Sequence, residues 1–166
     1  MKISAMAETT SSFKALIFKF LPLAEKVFLV GIALGFALYY SVNDSNIAFI
    51  SLNGLATVYF LYAHVPPELT NDNDKPHGFV ELLANSIVPK VMWISASVSI
   101  IGALFALLQL EGSPEMLMIA ISALGAGLLL FIIFFTIGIK DMRSNIPILY
   151  RVVPIFIIDL YLMFVN

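Results

Sequence analysis

The chain has 166 residues, 60% of them hydrophobic and 12% charged, which is more apolar surface than a soluble interior of that size can hide. Its net charge of −2 gives no electrostatic footprint for nucleic acid. Without cysteine it has no disulfides, thiolate nucleophiles or iron–sulfur ligands. The expected partner of the whole surface is the lipid bilayer.

Residues 1–21 read as a polar tail followed by a short interfacial segment. Phe13, Leu16, Ile17 and Phe20 recur at helical spacing, with Lys14 and Lys19 placed to snorkel. Pro22 is expected to separate this segment from the first span, about 23–42. That run ends in Phe36-Ala37-Leu38-Tyr39-Tyr40-Ser41, without the small residues of a cleavage site, so it reads as an uncleaved span. Asn43-Asp44-Ser45 form a tight turn, and the second span covers about 46–65 before Pro66 and Pro67.

An inner loop covers 66–87, acidic at Glu68, Asp72 and Asp74, with an apolar end at 79–86 suited to the membrane surface. The third span covers about 88–110. Gly112-Ser113-Pro114-Glu115 make a turn and a helix start, with Ser113 as cap. The fourth span covers about 116–139 and the fifth about 146–165, with Pro154 expected to kink it. Each run approaches the ~20 residues that a helix needs to cross a bilayer.

All nine basic residues fall on one side of these runs. Lys2, Lys14, Lys19 and Lys26 lie at the start of the first, Lys75 and Lys90 between the second and third, and Lys140, Arg143 and Arg151 between the fourth and the body of the fifth. The asymmetry places the N-terminus in the cytoplasm and the C-terminus outside, in a bacterial inner membrane. The expected fold is an all-α integral membrane protein of five transmembrane helices in one domain. Two hairpins, opened by Lys26-Val27 and Lys90-Val91, point the same way, and a fifth helix follows.

The stretch Ile101-Gly102-Ala103-Leu104-Phe105-Ala106-Leu107-Leu108, the turn, and Leu117-Met118-Ile119-Ala120 resemble the membrane hairpin of the gliding-motility motor subunit of type IX secretion systems and small hairpin proteins of the same bacteria. The resemblance spans the two hairpins and leaves out the fifth span. It implies a hairpin architecture. It does not imply a motor: a Trp-Pro-Gly turn typical of that family is Glu111-Gly112-Ser113-Pro114 here, and the motor's intramembrane glutamate has no counterpart in the second or fourth span.

Asp159 is the residue most expected to carry function. It lies six residues before Val165, about 9 Å from the helix end at 1.5 Å per residue, where an ionised carboxylate must face protein or water. Asn53, Ser99 and Ser122 fall at similar distances from the same side, so with Asp159 they form a candidate polar layer. Such a layer serves either as a proton or cation site or as a hydrogen-bond cluster fixing helix packing. Gly31 and Gly35, then Ser95, Ser99 and Ala103, then Ala123 and Gly127 repeat at four-residue spacing and read as helix-packing faces.

His64, Glu68, Asp72, Asp74 and His77 are metal-ligating types, but their spacing matches no established site, so no metal is expected. No histidine falls mid-run to ligate haem, and no cofactor is expected. The chain holds no GxSxG, HExxH or phosphate loop, and no catalytic residue is assigned. The sequence points to a non-enzymatic membrane subunit or scaffold that binds other integral membrane subunits, or itself, through the small-residue faces. The alternative is a small oligomeric channel or cation-coupled carrier built on the Asp159 layer. No reaction or substrate is legible.

Overall fold

The computed structural model describes residues 2–42, 46–65, 78–139 and 145–165, and in the first of these the side chains from Ile17 to Ser41. The turn at 43–45, the acidic loop 66–77 with His77, the basic turn 140–144 and the side chains of the first 16 residues lie outside the described residues.

Every described element is helical. They are α1 (Lys2–Val42), α2 (Asn46–Tyr62), α3 (Phe79–Leu82), a π turn (Leu83–Ile87), α4 (Val88–Leu107), α5 (Ser113–Ile137) and α6 (Ile146–Val165). Four segments are long and apolar enough to cross a membrane: Ile17–Ser41, Phe79–Leu107, Ser113–Ile137 and Ile146–Val165. The helix α2 is apolar but has only 17 residues, about 26 Å of length at 1.5 Å per residue.

One proline sits differently from the expectation. Pro22 does not divide α1, which runs unbroken for 41 residues. Proline already has a helical φ and removes only one backbone donor. Here its ring is exposed, while Leu21 and Glu25 on either side are buried. The helix is therefore held by its inward face while the proline faces out. Near Pro89 the helix widens instead. Val88 donates its N–H to the Leu83 carbonyl, five residues back, and this looser turn comes just before the ring that would crowd a regular helix. It joins α3 to α4 without a break, so the apolar end of the inner loop is an extension of the third long helix.

The turn between α4 and α5 rests on Gly112 at φ +83, a left-handed conformation that favours glycine. Gly112 is the N-cap, so Ser113 is the first helical residue and makes no side-chain cap bond. Gly138, at φ +78, closes α5 in the same left-handed conformation.

The helices pack as two antiparallel hairpins plus one. In the first, Gly35 of α1 meets the Ala48 backbone, Gly31 meets Ser51, and Phe28 lies on Gly54 of α2. A Cβ at any of these glycines would overlap its neighbour. In the second, Gly102 of α4 lies by Leu117 of α5, and Gly127 of α5 by Met92 of α4. The hairpins join through α2 and α4, where the buried Ser97 hydroxyl donates to the Ala56 carbonyl at 2.8 Å. The last helix, α6, packs on α4 and α5. The core between the hairpins includes Leu55, Ala56, Met92, Ala96, Leu124, Phe131 and Val152.

Among the described residues α1 and α6 come close to each other at few points. A cleft therefore lies between them, floored by α2 and α4.

Candidate functional site: a polar node and a cleft

At one end of the cleft four helices converge on Glu25. Its carboxylate is buried, with the side chain 5% exposed. The Arg151 Nε of α6 donates to Glu25 Oε1 at 2.5 Å. From α2, the Tyr62 hydroxyl donates to Oε2 at 3.0 Å, and the Tyr59 hydroxyl to Oε1 at 3.5 Å. Trp93 of α4 completes the node, stacked on Tyr62 at 4.7 Å between ring centroids and edge-on to Tyr59 at 5.1 Å. The guanidinium carbon of Arg151 lies 5.8 Å from the centroids of both the Tyr62 and Trp93 rings, within reach of cation–π attraction.

The physical logic is compensation. A buried carboxylate is costly unless it is paired and its remaining lone pairs are satisfied. Here one oxygen takes the arginine and both take phenolic donors. The arginine in turn is a third exposed and rests on two aromatic faces. Such a node is suited to fixing α1 against α6 and offers no free base or nucleophile.

Above the node the cleft widens to a volume of about 490 Å³. Its walls are aliphatic and aromatic, among them Leu29, Phe36, Leu55, Ile100, Ile155 and Ile158. Its charged lining groups are Glu25, Arg151 and Asp159. Asp159 is fully buried, and neither carboxylate oxygen has a hydrogen-bond partner among the described residues. Ser99 of α4, also fully buried, lies beside it, yet its hydroxyl is out of position for a full hydrogen bond.

Of the four residues of the expected polar layer, the fold thus brings together Ser99 and Asp159. Asn53 is exposed on α2 and donates to its own helix at Phe49 O, 3.0 Å away. Ser122 is exposed on α5 and donates to Met118 O at 2.7 Å. Both face away from Asp159, exposed on their own helices. The small residues are engaged inside the chain: Gly31 and Gly35 on α2, Gly127 on Met92. Ser95 and Ala103 are buried and Ala123 is half-buried, with Ala103 on the cleft wall. Among the described residues no three acidic, histidine or cysteine side chains cluster as metal ligands. His64 is exposed, its Nδ1 2.9 Å from the Phe60 carbonyl.

Glu25 is the residue that reading the sequence missed. It sits beside Lys26 at the start of a run and reads as an ordinary flanking charge. The signal was available in position: Glu25, Tyr62, Trp93 and Arg151 all lie within six residues of the same end of their runs. Compared with known protein families, curated proteins and solved structures, the chain matches none.

Proposed function

We propose that this chain is a non-enzymatic integral membrane subunit whose working element is the cleft between α1 and α6, with the Glu25 node as its rigid base. What supports a membrane setting is the outward face. Leu23, Val27, Val30 and Leu34 of α1, Ile119, Leu129 and Ile132 of α5, and Ile157 and Phe164 of α6 are all exposed. Lipid is the solvent in which such a surface is stable. The basic-residue asymmetry supports five crossings, with the N-terminus cytoplasmic and the C-terminus outside, in a bacterial inner membrane.

The observation that carries the binding role is the open gap between the first and last helices, with a buried, unpartnered carboxylate in its wall. Polar groups at such positions in membrane helices are functional more often than decorative. The engagement of Gly31, Gly35 and Gly127 within the chain moves the candidate contact surface away from the small-residue faces. It leaves the exposed apolar faces of α1 and α6 for partner subunits. Native mass spectrometry of the particle extracted gently from its membrane tests this reading: other polypeptides at fixed stoichiometry support it, and a bare monomer or homo-oligomer counts against it.

The second reading, a small oligomeric cation- or proton-coupled carrier, is favoured by one observation, the unpartnered Asp159 beside Ser99. It requires that Asp159→Asn abolish flux in liposomes, and wild-type flux in that variant would end it.

A further inference from the structure

We propose that the cleft binds a lipophilic monovalent cation, a positive charge carried on an apolar body, with its charge drawn to the Asp159 side of the wall. The proposal rests on the reading that the cleft is a binding site, and it names the ligand class.

Charge comes first. Glu25 and Arg151 cancel in a direct bridge, so Asp159 is left as the unbalanced charged group of the lining. Its two oxygens and the Ser99 hydroxyl are buried with no hydrogen-bond partner among the described residues. A buried acceptor in that state is expensive, and a bound positive centre relieves it. An anionic occupant would add a second uncompensated charge.

The cleft's volume of about 490 Å³ lies within the range of about 300–1,000 Å³ typical of small-ligand pockets.

The remaining walls define the body of the ligand. Leu29, Ile32, Leu52, Ile100, Ile155 and Ile158 present hydrocarbon around the carboxylate. A bare metal ion does not suit such a site, because one carboxylate and one hydroxyl fall short of the roughly six oxygens that Ca²⁺ or Mg²⁺ requires. Entry is sideways from the bilayer, over the half-exposed rim of Leu29 on α1 and Ile158 on α6.

The test uses the full-length protein in nanodiscs and two probes of equal shape and opposite charge, tetraphenylphosphonium and tetraphenylborate. Binding is measured by equilibrium dialysis against empty nanodiscs. The phosphonium is expected to bind saturably, one per chain, and about tenfold weaker to Asp159→Asn, as for the loss of one attractive charge in a low-dielectric site. Ile158→Trp, at the exposed rim where folding is not at stake, is expected to block it. The borate is expected to show only the partition seen with empty discs. Phosphonium binding unchanged in Asp159→Asn but blocked by Ile158→Trp would overturn the cation assignment while leaving the cleft as a site. Binding indifferent to both variants, or no saturable binding at all, would overturn the cleft as this ligand's site.

Discussion

Glu25 and Arg151 are separated by 126 residues in sequence and by 2.5 Å in space. Their bridge ties the first long helix to the last, two helices that pack little on each other among the described residues. The consequence is a joint at one end and an opening above it. The second buried acid, Asp159, belongs to the wall of that opening, about 12 Å along α6 from the arginine.

The two tyrosines on Glu25 are not equivalent. Tyr62 donates at 3.0 Å and Tyr59 only at 3.5 Å, while Tyr59 is the more deeply buried. Tyr62→Phe removes a hydrogen bond to a charged acceptor and is expected to lower stability by about 1.5 kcal/mol. Tyr59→Phe is expected to cost less than about 1 kcal/mol, since its hydroxyl bond is long. Thermal melting of the two variants in the same detergent orders them.

Glycines in the two hairpins should respond in opposite ways. A methyl group at Gly35 would overlap the Ala48 backbone, which cannot move aside. Gly35→Ala is expected to destabilise by about 2 kcal/mol, as overpacking does. At Gly125 the nearest neighbour is the Phe156 ring at 3.6 Å, an ordinary contact. Gly125→Ala should therefore be neutral, or stabilise by up to about 1 kcal/mol through helix propensity. Melting temperatures of the pair distinguish this from a general sensitivity of membrane glycines.

The proposed orientation has its own check in a chain without native cysteine. Cysteines replacing the exposed Glu111, at the turn between α4 and α5, and the exposed Phe79, at the opposite end of α3 and α4, sit on opposite sides. An impermeant thiol reagent added to intact cells is expected to label the first and not the second. The reverse pattern would invert the topology.

The long helices and their pairing were legible because bilayer thickness imposes run length, and short polar turns impose antiparallel neighbours. The apolar runs extend past the helices they form: the second run reaches Val65 and α2 ends at Tyr62, and the third reaches Leu110 and α4 ends at Leu107. Of the polar layer expected from position along the helices, Ser99 and Asp159 lie side by side, while Asn53 and Ser122 do not join them. Rotation about the helix axis was not legible. The buried face of α2 carries Ser51, Leu55, Ala56, Val58 and Tyr59, and Asn53 faces away. An almost uniformly apolar helix gives the sequence no polar face by which to orient it. Pro22 misled for a related reason: a proline on an exposed helix face need not end the helix.

The most direct measurement is a double-mutant cycle on the node: the stabilities of Glu25→Gln, Arg151→Gln and the double variant in one membrane mimic. Each single change leaves a partly buried charge without its partner and is expected to cost about 3 kcal/mol. The double variant is expected to cost clearly less than the sum, with a coupling of about 2 kcal/mol. Additive losses, with no coupling, would contradict the claim that this bridge joins the first helix to the last.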